Sequence, residues 1–198
     1  MITRELIIMN RSKIYDLTMI SICLAIMIIG AKISIPIGPI PVTLQTLAVF
    51  LISLILGTKK SIILFVTYII LGLIGLPVFS TGGGIQYIYM PSFGYIIGFL
   101  FAGIVIGFGS KSNKFYVKYI VSFIGLLIIN ICGLSYMYII FNLYKGLNKD
   151  FIYIMQVGFL PFIIKDIFMV ILACIIYSRL KIVLYKDNVE EVSLINEK

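Results

Sequence analysis

Two adjacent charges, Lys165 and Asp166, stand inside an apolar run from Phe159 to Leu180. A charged side chain at the centre of a membrane helix costs on the order of 3 kcal/mol or more, so an ionisable residue there is a functional candidate by default. Successive residues on a helix point about 100° apart, which argues against a tight mutual pair. On that argument Asp166 faces inward and contacts a ligand, while Lys165 reaches the interface on its longer stem. A buried ion pair, or a helix-end residue that snorkels outward, is the plainer alternative. A second group of candidates lies in the uncharged connection from Leu76 to Pro91, where Gly82, Gly83 and Gly84 follow one another. Glycines permit positive φ and a close approach of backbone to a bound molecule, and Gln86, Tyr87 and Tyr89 beside them offer polar groups and flat apolar faces. A flexible turn is the alternative there. These residues suit recognition of a small molecule rather than catalysis. The chain has no His, no GxSxG, no G-x-x-x-x-G-K-[ST] loop and no cluster of acids that could hold a metal, so an enzyme, a metal centre and a bound nucleotide are not expected. Cys23, Cys132 and Cys174 are scattered through apolar runs without CxxC spacing, which is the pattern of buried small hydrophobes.

The elements that must position these residues are membrane helices. Of the 198 residues, 61% are hydrophobic and only 12% charged, with a mean hydropathy of +1.14. A water-soluble domain could not hide that much apolar surface. Apolar runs at Tyr15–Ile35, Thr43–Leu56, Ser61–Gly75, Gly94–Phe108, Phe115–Phe141 and Phe159–Leu180 predict an all-α integral membrane protein of six helices. The second and third runs are short for a hydrocarbon core of about 30 Å at 1.5 Å per residue, and short helices leave room for a cavity. Two connections, Pro36–Gln45 and Leu76–Pro91, are uncharged and full of backbone breakers, which predicts irregular re-entrant or lid-like loops on the extracellular side. The net charge of +8 forms no continuous patch for nucleic acid and alternates by loop instead. Arg4, Arg11 and Lys13, then Lys59 and Lys60, then Lys111, Lys114 and Lys118, and then Arg179, Lys181, Lys186 and Lys198 fall on one side; the other side holds Lys32, Lys145 and Lys149. The positive-inside rule therefore puts both termini in the cytoplasm of a multi-pass cell-membrane protein. Residues 1–13 read as a cytoplasmic segment leading into a retained first helix, 14–182 as the six-helix domain and 183–198 as a cytoplasmic tail. On the first helix Ser21 and Ala25 form a small-xxx-small pair, suited either to internal packing or to docking on a partner membrane subunit.

Several stretches resemble one family: the biotin-specific substrate-binding S components of energy-coupling-factor transporters, the BioY family. The run from Gly30 to Leu47, Gly-Ala-Lys-Ile-Ser-Ile-Pro-Ile-Gly-Pro-Ile-Pro-Val-Thr-Leu-Gln-Thr-Leu, is similar to the family's first helix ending in an Ile-Pro turn followed by Pro-x-Thr-Leu-Gln-Thr. Gly72-Leu-Ile-Gly-Leu-Pro-Val-Phe79, the glycines 82–84 and Pro91-Ser-Phe-Gly-Tyr95 extend the resemblance, which covers the chain from about Tyr15 to Arg179. It implies biotin as the transported ligand, no cofactor, and as partners membrane lipid, a transmembrane coupling subunit and two ATPase subunits that bind the ATP. It also implies a substrate site that includes Thr43, Gln45, Phe79, Ser92 and Tyr95 beside Gly82, Gly83, Gly84, Gln86, Tyr87, Lys165 and Asp166. The departure is in the last helix. The family shows a Pro-Gly-Asp turn with a Lys three residues after the Asp, whereas Asp166 here follows Ile164-Lys165 and the third position after it is Met169.

The chemistry fits such a ligand. Biotin carries an apolar fused ring, a ureido group with two N–H donors and a chain ending in a carboxylate; Asp166 could accept from the ureido group, Tyr87, Tyr95 and Phe79 could cover the ring, and Lys32 or the amides near Gly82–Gly84 are the nearest offers to the acid tail. An S component for another vitamin or a biotin precursor is the first rival. An intramembrane lipid-modifying enzyme is the second, and it lacks the cluster of acids or His that it would need.

Overall fold

The computed structural model describes residues 2–112 and 114–196, with side chains for 13–112 and 114–181. The side chains of Arg4, Glu5, Arg11 and Lys186, and all of Lys198, lie outside the described residues. Helix α1 (Ile2–Lys32) leads into a short antiparallel hairpin of β1 (Ser34–Ile37) and β2 (Ile40–Thr43). Helix α2 (Gln45–Leu73) follows, then a 3-10 turn at Ile85–Tyr89, α3 (Phe93–Ser110) and α4 (Phe115–Ile139). A π-turn at Ile140–Tyr144 ends α4, and α5 (Phe151–Gly158) and α6 (Leu160–Asn196) complete the order. The backbone of α1 and of α6 continues helically through positions 13/14 and 182/183.

The second and third apolar runs meet within α2. At Gly57 the backbone takes φ 68 and ψ −179, which breaks the helix. The side-chain amide of Gln45 donates to the Tyr68 hydroxyl at 2.7 Å, although 23 residues of straight helix would separate them by about 35 Å. The arms 45–56 and 58–73 therefore run antiparallel. Both are shorter than the hydrocarbon core, at roughly 18 and 24 Å. Glycine is needed at the reversal because this backbone region is essentially closed to other residues. Close approach is needed too: a Cβ on Gly107 of α3 would collide with the backbone of Thr58.

The hairpin corrects the expectation of an all-helical chain with an irregular first loop. Its register pairs Ile37 with Ile40, Pro36 with Pro41 and Ile35 with Val42 across the two-residue turn Gly38-Pro39. Gly38 has φ 65, as the first position of such a turn favours. Antiparallel pairing alternates hydrogen-bonded and non-hydrogen-bonded pairs away from the turn, so the two prolines face each other where no N–H is required. Helix α5 was also unforeseen, as was the side-chain clamp of Asn142, which holds both the amide and the carbonyl of Lys149.

The packed centre is built by α1, α2, α3, α4 and α6 around Met27, Val49, Phe50, Leu64, Phe65, Tyr68 and Ile106. Outside it, the helices show Ile22, Ile63, Phe101, Leu127, Ile131 and Phe168 to their surroundings. Apolar faces turned outward over whole helices fit lipid, not water. Among the described residues, five helices are long and apolar enough to cross a membrane, the reversed α2 among them.

Candidate functional site

One end of the bundle holds a cavity. The hairpin, the start of α2, the 76–92 connection, α3, α4 and the start of α6 all contribute walls to a cleft that is partly open to the outside, about 510 Å³ of atom-free space when the open mouth is included. Its apolar walls are Ile40, Pro41, Ile96, Phe99, Ile129 and Phe162, and its polar ones Thr43, Gln45, Thr46, Ser80, Tyr87, Ser92, Tyr95, Lys165 and Asp166.

Lys165 does not snorkel away from its neighbour. Its ammonium donates to the Thr43 carbonyl at 3.0 Å and to Thr46 Oγ1 at 3.1 Å, and stands 2.7 Å from Asp166 Oδ1. The expected separation of the two residues is thus corrected: a four-carbon stem spans the ~100° between them, and the carbonyl at the end of β2 gives the ammonium an acceptor inside the protein. Asp166 is buried at 6% exposure. Its Oδ1 is enclosed, with the ammonium of Lys165 as its ionic partner. The pair is a buried charge contact in the cavity wall, and a carboxylate there can accept a charge-assisted hydrogen bond from a donor on a ligand.

The aromatic wall is fixed from behind. The Tyr95 hydroxyl donates to the Gly158 carbonyl at 2.8 Å, and a Cβ on Gly133 would fall on the Tyr95 ring. Small residues on α4 and α5 therefore define where that ring stands. The Tyr87 hydroxyl is a node, within 3.2–3.4 Å of the hydroxyls of Ser80, Thr81 and Ser92. Gln45 is held by Tyr68, whose own hydroxyl donates to the Val78 carbonyl at 3.0 Å.

Of the residues singled out in the sequence, Thr43, Gln45, Tyr87, Ser92, Tyr95, Lys165 and Asp166 come together around this cavity. Phe79, Gly82, Gly83, Gly84 and Gln86 do not line it. Phe79 is fully buried against the rings of Tyr68 and Tyr87. The glycines shape the connection instead: the Gly84 amide donates to the Gly72 carbonyl at 2.7 Å, and a Cβ on Gly83 would collide with the carbonyl of Leu76. Gln86 is exposed and donates back to the Gly83 carbonyl. Lys32, expected near the acid tail of the ligand, donates to the Phe79 carbonyl at 2.8 Å and ties α1 to this connection. Ser21 and Ala25 lie on the exposed face of α1, while Gly30 and Ala31 are buried. Thr46, Ser80, Ile40, Pro41, Ile96, Phe99, Ile129 and Phe162 were missed. Ile40, Pro41 and Thr46 fall inside the Gly30–Leu47 stretch and Ser80 inside the Leu76–Pro91 connection, and that placement was their signal; the others had none.

Fold and site together define a multi-pass membrane protein with a cavity at one end, its apolar walls interrupted by a band of hydroxyls, the Gln45 amide and one ion pair. The BioY family model matches residues 5–186. The probable biotin transporter BioY of Lysinibacillus sphaericus is 34% identical over 177 residues, covering 87% of this chain and 89% of that one. The probable biotin transporter BioY of Pyrococcus horikoshii is 39% identical over 170 residues, 85% of this chain and 98% of its own length. Among solved structures, an S-component for biotin from an ECF-type ABC transporter superposes with a TM-score of 0.77 at 29% identity, covering 87% of this chain and 93% of that one. The chain belongs to the BioY family.

Proposed function

We propose that this chain is the substrate-binding membrane subunit of a biotin uptake transporter, and that the vitamin sits in the cavity beside Asp166. The observation that carries the reading is a carboxylate, Asp166, buried on the wall of this cavity with Lys165 as its ionic partner. The ureido N–H groups of biotin are donors to such a carboxylate, and a hydrogen bond to a charged acceptor is worth about 1.5–3 kcal/mol. Tyr87, Tyr95 and Phe99 cover the fused ring, and the hydroxyls of Ser80 and Ser92 meet the polar part of the chain. Lys165 and Met169 are four residues apart and share one face of α6, so Lys165 brings its charge to the same stripe one turn earlier. Phe79 and the glycines 82–84 act behind the wall, by holding Tyr87 and the connection in place.

The two arms of α2 each cross the membrane, giving six crossings with both termini in the cytoplasm. Among the described residues, the end of the bundle at Gly57 carries Lys13, Lys59, Lys60, Lys111, Lys114, Lys118, Arg179 and Lys181 against Asp16, and the positive-inside rule turns that end inward. The cavity then opens outward, where a vitamin arrives. Residues 1–13 and 183–198 lie on the cytoplasmic side. The exposed pair Ser21 and Ala25 docks a transmembrane coupling subunit, which with two ATPase subunits supplies the ATP-driven step. Equilibrium dialysis of radiolabelled biotin against the purified chain, in a panel with other vitamins and biotin precursors, tests the reading. Saturable binding selective for biotin supports it; preference for another ligand moves the assignment to that ligand.

A further inference from the structure

At the end of the bundle away from the cavity, the turn joining α3 to α4 is crowded with cations. Lys111 caps α3, Lys114 precedes α4 and Lys118 lies in its first turn. Lys118 retains only 3% exposure. Its ammonium donates to the Ser112 carbonyl at 2.9 Å and stands 5.5 Å from the centre of the Tyr177 ring on α6. One turn further along α6, Lys181 is near enough to bear on the same ammonium as a like charge. Among the described residues the carboxylates in ion pairs are Asp16 and Asp166, and neither meets any of these four lysines. A buried ammonium beside a like charge, with no carboxylate paired to it among the described residues, is costly, and it leaves the site in want of an anion. The first turn of α4 adds to the same field, since it has no acidic residue and no side-chain cap.

We propose that this turn, together with the facing end of α6, binds the phosphate of an anionic phospholipid of the inner leaflet. The inward placement of this end rests on the orientation proposed above; the local charge does not. Lipid is the occupant that the position favours, because the cluster sits where the apolar spans Phe93–Ser110, Phe115–Tyr144 and Leu160–Lys181 end together. Basic pockets between transmembrane helices at that level take headgroups, and a juxtamembrane lysine contributes about fivefold in affinity for an anionic surface. Lys118 is a fixed charge beneath the site, and Lys111, Lys114 and Lys181 reach the phosphate.

The test is electron spin resonance of the full chain in phosphatidylcholine vesicles, comparing spin-labelled phosphatidylglycerol with spin-labelled phosphatidylcholine. Anionic lipid is then available in both leaflets, so a wrong orientation cannot mimic failure of the site. Wild type should prefer the glycerol lipid, and Lys118→Met should lower that preference about fivefold. Should Lys118→Met fail to fold, the surface variant Lys114→Gln/Lys181→Gln should lower it by more. Equal preference in wild type and in the foldable variants overturns the proposal. Competition by excess inorganic phosphate would make this a soluble-anion site and overturn the lipid assignment. So would variants that keep the preference but no longer co-purify with a coupling subunit, since the patch would then be a protein surface.

Discussion

Lys165 and Asp166 occupy one small volume, and each sets the consequence of removing the other. Lys165→Gln leaves a buried carboxylate without its counter-charge, which costs on the order of 3 kcal/mol. The midpoint of thermal unfolding in detergent should fall by several degrees, and Lys165→Gln/Asp166→Asn should recover much of that loss. A double variant no more stable than Lys165→Gln would show that the ion pair has no such role. Half of this pairing was legible: a charge inside an apolar run marked both residues. The contact was not, because the angle between neighbours on a helix describes where the side chains start and says nothing of where a long stem ends. Its end depended on the Thr43 carbonyl, 122 positions away in sequence. The glycines 82–84 misled for a related reason. Their conformational freedom was real, but it serves the fit of backbone against the end of α2, where the Gly84 amide meets the Gly72 carbonyl.

Among the elements, the reversal at Gly57 decides whether α2 gives one helix or two antiparallel arms. Gly57→Ala has room for its Cβ, since the nearest atom is Ser110 Oγ at 3.5 Å; the cost is in φ 68 and ψ −179. That backbone penalty is about 1–3 kcal/mol, and it should appear as a lower unfolding midpoint with unchanged helical content by circular dichroism. An unaltered midpoint would mean the reversal tolerates a side chain. The sequence showed two short apolar runs here, divided by Gly57 and two lysines, and so anticipated the arms. It did not show the hairpin, since three prolines in six residues argue against a strand unless the register places them where no N–H is needed. The connection 76–92 bears on topology. A single cysteine at Gln86, with Cys23, Cys132 and Cys174 removed, should react with a membrane-impermeant thiol reagent from outside the cell. Gln86 is exposed and outside the cavity wall, so biotin should change that rate little. Labelling only from the cytoplasmic side would overturn the orientation.

The whole molecule carries three distinct surfaces: a cavity at one end, a cationic end opposite, and a side face on α1. Ser21→Leu or Ala25→Leu places bulk on an exposed face, so biotin binding should stay within about twofold of wild type while uptake by the assembled transporter falls at least tenfold. Loss of binding in detergent would instead mean that the pair packs inside the subunit. Hydropathy and loop charge made the membrane architecture legible early, because both act along the sequence. The cavity was legible only in part, since its walls come from six separate segments brought together by packing. The most direct test of the central claim is isothermal titration of biotin into purified wild type and Asp166→Asn, with circular dichroism to confirm that both are folded. The account predicts one saturable site in wild type and an affinity lower by about ten- to a hundredfold in the variant, the worth of a hydrogen bond to a charged group. Equal affinity in the two folded proteins would contradict it and remove Asp166, and this cavity, from the path of the vitamin.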